Sequence, residues 1–113
     1  MVTLLKNMVK KEFTKIISQS GDDRLRLKID TEKGQVVDIV VQYEARFSGV
    51  WHPIVRYDCS HGFLHRGVML PGDKKEKQPL NIPDLKTALI YAEQDIMDRW
   101  KWYWERYRRR MKQ

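Results

Sequence analysis

The sequence predicts an α+β fold, in which an antiparallel meander sheet of four or five strands carries an N-terminal helix and a long C-terminal helix packed on one face. Three observations support this prediction. Apolar and polar residues alternate through much of residues 24–57, as they do in strands with one buried face. Short turn sequences separate these runs, so neighbouring strands should be antiparallel. Residues 84–113 contain neither Gly nor Pro, which is typical of a long helix.

The first element is predicted to be a helix because its apolar residues recur at spacings of three and four. They are Leu4, Leu5, Met8, Val9, Phe13, Ile16 and Ile17. Turn-forming residues at 20–23 end this element.

The strands follow from period-two alternation. The predicted strands cover residues 24–30, 36–47, 50–58 and 63–70, with a charged segment at 74–78 as a fifth, edge strand. The predicted turns are residues 30–34, 48–49, 59–62 and 71–73. Lysines in the last segment suit an edge strand, because they discourage pairing with another sheet.

The closing helix is predicted to begin near Pro83 and Asp84, which suit a first helical turn. Nine residues share one face at about 100° per residue. They are Leu85, Ala88, Leu89, Ala92, Ile96, Trp100, Tyr103, Trp104 and Tyr107. Trp102 lies opposite this stripe, so we expect it outside the same core. The aromatic end either projects beyond the sheet or packs on a second copy.

Length and composition indicate one soluble domain over residues 1–113, with a basic helical extension over about 99–113. Apolar residues make up 42% and charged residues 33% of the chain, which is typical of globular proteins. The sequence contains no apolar run long enough for a membrane span and no signal-peptide pattern. Its single cysteine excludes an internal disulfide. We therefore expect a cytoplasmic protein without a membrane partner.

The net charge of +7 is concentrated at the C-terminus. Residues 99–113 contain seven cations and only Glu105 as an acid, which is +6 of that charge. A basic end attracts phosphate or an acidic protein. Cations also suit a helix C-terminus without any partner.

The densest run of titratable groups spans residues 56–66 and predicts the candidate catalytic site. It contains Arg56, Tyr57, Asp58, Cys59, His61, His65 and Arg66. Metal-free cleavage of RNA needs a base, an acid and cations for the phosphorane charge. Histidine suits both proton roles and arginine suits the third. We predict that Arg56, His61, His65 and Arg66 act directly, with Tyr57 and Asp58 orienting them.

Two other chemistries remain open for this segment. Cys59 and His61 can approach each other in a tight turn as metal ligands, with Asp58 or His52 nearby. Cys59 with His61 is also a conceivable nucleophile–base pair. No motif of either class supports them, and we predict neither a metal site nor a cofactor.

The C-terminal helix supplies a candidate nucleic-acid-binding surface. Aromatic rings stack on unpaired bases while arginines neutralise phosphate. Most of the aromatic residues belong to the apolar stripe and are explained by packing. The residues left for a partner are Trp102, Arg106, Arg108, Arg109 and Arg110.

Residues 36–96 resemble small prokaryotic toxins of the TumE type. The resemblance rests on an aromatic-rich strand, the run Arg56-Tyr57-Asp58, a loop with His61-Gly62 and His65, a Pro-Gly-Asp turn and a closing helix. It implies a toxin that acts on RNA or translation and is neutralised by an antitoxin protein encoded beside it.

The sequence thus predicts a toxin-like protein that engages RNA, with metal-independent ribonuclease activity as one form of that function. The alternative is a non-catalytic interaction module, a homodimer through the aromatic helix, whose basic tail binds nucleic acid or an acidic partner.

Overall fold

The computed structural model describes residues 8–59 and 62–111. They form one six-stranded antiparallel sheet and one long helix. The strands are β1 (Met8–Ile16), β2 (Asp23–Glu32), β3 (Gln35–Phe47), β4 (Val50–Asp58), β5 (His65–Leu70) and β6 (Lys74–Pro79). The helix, α1, spans Leu85–Met111. The strands lie in chain order across the sheet, so the predicted meander is confirmed.

The predicted N-terminal helix is wrong over the described residues, because Met8–Ile16 is a strand that pairs with β2. A spacing of four residues fits a helical face, but four is also even, so such residues share one face of a strand. Val9 and Phe13, opposite Thr31 and Leu27 in the β1–β2 register, are an example. The predicted residues Leu4 and Leu5 lie outside the described residues. The sheet consequently has six strands rather than four or five.

Tight hairpins account for the continuous meander. In the β3–β4 turn, Ser48 and Gly49 have φ angles of 50° and 78°. Two successive residues with positive φ form the turn whose twist matches paired antiparallel strands. The predicted turn at 48–49 is confirmed.

Helix α1 covers one face of the sheet, which we call the helix face. It packs on β3, β4 and β5. The core contains Leu25, Val41, Tyr43, Val55 and Tyr57 from the sheet and Ala92, Ile96 and Tyr103 from α1. The opposite sheet surface, the open face, carries Arg24, Glu44, Arg56 and Asp58.

The predicted apolar stripe of α1 is confirmed. Ala88, Ala92, Ile96, Tyr103 and Tyr107 are buried, and Trp102 on the other side of the helix is 53% exposed. Asp84 caps the helix by accepting a hydrogen bond from the Thr87 backbone N–H (3.1 Å). No helix among the described residues has the length and apolar character needed to cross a membrane.

Candidate nucleic-acid interface

Strand alternation divides the predicted catalytic residues between the two faces of the sheet. Tyr57 pairs with Arg66 in the β4–β5 register, and both side chains lie on the helix face. Asp58 pairs with His65 one position further on, which places both on the open face with Arg56. His61 lies outside the described residues. The described residues of this set therefore lie on two faces of the sheet, and their catalytic role stays a prediction.

On the open face, the predicted residues serve as partners for one another. The Arg56 Nε donates a hydrogen bond to the Asp58 carboxylate (2.8 Å), and another nitrogen of Arg56 donates to the Gln42 side-chain oxygen (3.2 Å). The His65 ring is 7% exposed and lies 4.2 Å from the Phe63 ring, centre to centre. These contacts are those of side chains that pack and pair along strands.

On the helix face, a hydrogen-bonded network joins the sheet to α1 through Asp95. The Tyr57 and Tyr103 hydroxyls both donate to the Asp95 carboxylate, at 2.6 and 2.7 Å. Arg99 completes the network with an ion pair to Asp95 at 3.0 Å. The Asp95 carboxylate therefore accepts hydrogen bonds from the sheet and from its own helix, and it is also paired with a cation.

Burial, and then the hydrogen bond to Asp95, raise the pKa of Tyr57 above its ordinary value. The same two causes, in the same order, raise the pKa of Tyr103. Both hydroxyls consequently remain protonated at neutral pH. They can donate hydrogen bonds and hold other groups in place, but neither can act as a proton-accepting base.

Arginines approach this network from two sides. Arg66 on β5 and Arg99 on α1 both donate to the Tyr103 hydroxyl oxygen, at 3.3 and 2.9 Å. Arg66 also donates to the side-chain oxygen of Gln78 on β6 (2.5 Å). Since a guanidinium has five N–H donors, each arginine keeps donors for a ligand. The network thus fixes two cations at a defined position beside the helix.

These side chains line a groove of about 430 Å³ between β5, β6 and α1, which we call the basic groove. Its walls include Arg66, Lys77, Gln78, Arg99, Trp102, Tyr103 and Arg106. The Trp102 ring has the guanidinium carbons of Arg99 and Arg106 at 5.4 and 6.0 Å from its centre. Arg106 also contacts Glu76 on β6. The groove therefore combines an exposed indole ring with four cations.

The basic groove continues towards the end of α1. A second depression, of about 330 Å³, is lined by Trp102, Arg106, Arg109 and Arg110. These four residues recur at helical spacings of four, three and one, so they share one side of α1. Arg108 lies apart from them, 5.5 Å from the centre of the Trp104 ring. The structure thus brings together four of the five predicted nucleic-acid-binding residues.

Sequence reasoning missed several groove residues. Arg99 is four residues after Asp95 and three before Trp102, so helical spacing alone could have placed it on this side of α1. Lys77 and Gln78 lie on β6, and only the pairing of β6 with β5 brings them to the helix. No local signal predicts that contact.

The arginines of the open face have acidic partners, as do Arg99 and Arg106 in the groove, which pair with Asp95 and Glu76. Arg24 and Arg26 both pair with Glu44, at 2.6 and 3.6 Å. Arg46 pairs with Asp22 at 2.8 Å, and Arg56 pairs with Asp58. Four arginines of this face thus share three carboxylates, whereas the four cations of the groove share two, those of Asp95 and Glu76.

The described part of the chain contains no group of three or more His, Cys, Asp or Glu side chains that could hold a metal ion. Cys59 is half-buried. Burial, and then the nearby Asp38 and Asp58, raise the pKa of its thiol. A protonated thiol is a poor nucleophile and a poor metal ligand.

Comparison with protein families gives one match, to a domain of unknown function designated DUF7718, over residues 8–113. The chain belongs to the DUF7718 family. The comparison with curated proteins found no match, and neither did the comparison with solved structures. Because the DUF7718 description carries no activity, the resemblance to toxins of the TumE type stays a prediction.

Proposed function

We propose that this DUF7718 protein binds single-stranded RNA in the basic groove, as a binding module without catalytic activity of its own. The observation that carries the proposal is the position of Trp102, 53% exposed and flanked by Arg99 and Arg106. An exposed ring beside cations suits an unpaired base next to its phosphates. A duplex hides its base faces in the stack, so a single strand should be preferred.

The proton chemistry of the groove supports binding rather than cleavage. The imidazole of His65 lies on the open face, across the sheet from Arg66. The hydroxyls of Tyr57 and Tyr103, which do lie beside Arg66 and Arg99, stay protonated because their pKa values are raised. The groove carboxylate, that of Glu76, is paired with Arg106, so the arrangement of cations around an exposed ring favours binding.

A homodimer through the aromatic helix has less support. Trp104 stacks on Phe47 of the same chain, with ring centres 6.1 Å apart, and Tyr107 stacks on Phe47 at 5.9 Å. The aromatic stripe is thus used within one chain, and Trp102 is left for a partner.

The proposal is tested by fluorescence anisotropy with a labelled, unstructured RNA oligonucleotide and the duplex form of the same sequence. We expect the single strand to bind more tightly, with affinity that falls as salt is raised. An equimolar strand of the same sequence in DNA shows whether the 2′-hydroxyl contributes. Absence of binding to all three, or binding indifferent to salt, would refute the proposal.

A further inference from the structure

A separate cavity lies at the other side of α1, beside its C-terminal half, and shares no lining residue with the basic groove. It measures about 410 Å³. We call it the aromatic cavity. The walls that matter here are Asp23, Phe47, Trp100, Lys101, Trp104 and Glu105. The geometry points to this cavity as a binding site for a quaternary ammonium cation.

Three aromatic rings, those of Phe47, Trp100 and Trp104, line the cavity. Trp104 stacks on Phe47 with 19° between the ring planes, and Trp100 meets the buried Tyr43 edge-on at 66°. Because these contacts hold the partly buried rings against the core, we infer that the cavity is preformed. The face of an indole ring is electron-rich and attracts cations, and rings arranged around one space are the known way to hold an ammonium with methyl substituents.

One residue that lines this space, Asp23, carries a buried carboxylate. Asp23 is 5% exposed and accepts a hydrogen bond from the Tyr43 hydroxyl at 2.5 Å. No Lys, Arg or His nitrogen among residues 8–59 and 62–111 forms an ion pair with it. A buried charge without a countercharge is costly, so a cation beside Asp23 would relieve that cost.

The surrounding charges favour a cation even though the protein as a whole is basic. Asp22 and Glu105 add two carboxylates to that of Asp23, and Asp22 is paired with Arg46. Lys101 is the one lining cation left without a carboxylate partner in the described residues, and its Nζ lies 5.6 Å from the centre of the Trp100 ring. The Arg108 guanidinium lies over the Trp104 ring at 5.5 Å, so a ligand would compete with both cations for the two indole rings.

The chemistry of the walls selects the type of cation. Hard metal ions such as Mg²⁺ and Ca²⁺ need several oxygen ligands, whereas this cavity offers mainly aromatic carbon around one buried carboxylate. A quaternary ammonium has no N–H donors to satisfy and presents methyl groups to the rings. A quaternary ammonium therefore suits both the aromatic walls and the Asp23 carboxylate.

The test is a titration with choline, followed through the indole N–H signals of the ¹⁵N-labelled protein by NMR. Each of the four tryptophans is assigned by a Trp→Phe substitution. We expect the signals of Trp100 and Trp104 to shift in a saturable way, while that of Trp102 in the basic groove does not move. No shift, or equal shifts at all sites, would overturn the proposal.

The matched ligand is 3,3-dimethylbutan-1-ol, which has the shape of choline without its charge. We expect it to bind at least about tenfold more weakly, because both cation–π attraction and pairing with Asp23 need the charge. Equal binding of the two ligands would show a merely apolar cavity and overturn the proposal.

Two substitutions distinguish the contribution of the buried Asp23 to choline affinity from that of Lys101. Asp23→Asn keeps an acceptor for the Tyr43 hydroxyl but removes the charge, and we expect choline affinity to fall about tenfold or more. Lys101→Gln removes the competing ammonium and should raise the affinity severalfold. Should Asp23→Asn fail to fold, Lys101→Gln and the neutral ligand still decide, since an unchanged or lowered affinity in Lys101→Gln contradicts the account.

Discussion

The Tyr57 hydroxyl on β4 donates a hydrogen bond of 2.6 Å to the Asp95 carboxylate on α1. The two residues are 38 positions apart in the chain. Through Asp95 the same contact reaches Tyr103, Arg99 and, by way of the Tyr103 hydroxyl, Arg66. The bond thus connects the packing of the helix on the sheet with the placement of the groove cations.

Removing the Tyr57 hydroxyl should lower stability. Tyr57→Phe keeps the ring in the core but takes one donor from Asp95, whose side chain is 9% exposed. A hydrogen bond to a charged group contributes about 1.5–3 kcal/mol, and we expect a loss of that size in the free energy of unfolding by urea. The control is Tyr91→Phe, since Tyr91 is 43% exposed. Equal midpoints for both variants would contradict the role of this bond.

Stability should fall as the pH rises above about 10, the ordinary pKa of tyrosine. Burial and the hydrogen bonds to Asp95 raise the pKa of Tyr57 and Tyr103 in the folded state. The folded protein then binds more protons than the unfolded chain, so the contribution is complete below that pH and is lost above it. Midpoints of urea unfolding measured below and above about pH 10 test this prediction.

The double variant Tyr57→Phe/Tyr103→Phe is the control for this pH effect, because lysines also titrate in the same range. We expect its urea midpoint to fall less steeply with pH than that of the wild type. If both proteins lose stability at the same rate, the two hydroxyls are not the cause.

Arginines at the end of α1 should determine part of the salt dependence of RNA binding. Arg109 and Arg110 line the extension of the groove. Each phosphate contact on a single strand adds about 0.7 to the slope of log affinity against log salt. We expect Arg109→Gln/Arg110→Gln to reduce that slope by about 1.4 in anisotropy titrations.

A matched pair of substitutions on the open face provides the comparison for the slope. Arg26→Gln/Lys28→Gln removes the same charge from exposed positions of β2 and should reduce the slope less. Similar reductions in both double variants would mean that net charge, rather than the groove, attracts the RNA.

His65 should be dispensable for RNA binding. It lies on the open face, opposite Asp58 in the β4–β5 register. We expect His65→Gln to bind RNA within about twofold of the wild type, because His65 is not among the residues that line the groove. RNA incubated with either protein should stay intact on a denaturing gel. Cleavage by the wild type that is lost in His65→Gln would restore the catalytic interpretation.

Much of the sheet could be predicted from the sequence, because its alternation and turns are local. The turn at 48–49 and the pattern after it predict a strand over residues 50–58, which are the bounds of β4. The conformation of β1 could not be decided in the same way, because the spacing of residues such as Val9 and Phe13 fits both a helix and a strand. Pairing with β2, a contact between separate segments, determines its conformation.

The division of the predicted catalytic residues could not be seen in the sequence either. Arg56 and Arg66 are ten positions apart, and the number of residues between β4 and β5 decides which of them faces α1. The grouping of Trp102, Arg106, Arg109 and Arg110 could be predicted, because helical spacing determines it. Their meeting with Arg66 requires the packing of α1 on β5.

The measurement that tests the central claim most directly is the affinity of Trp102→Ala for single-stranded RNA. Stacking of one base on an aromatic ring contributes about 1–3 kcal/mol, so we expect binding to weaken roughly 5- to 150-fold. The control is Phe13→Ala, which removes a ring that is 50% exposed on β1, far from the groove in the sheet order. Unchanged affinity in Trp102→Ala, or an equal loss in both variants, would contradict the assignment of the basic groove.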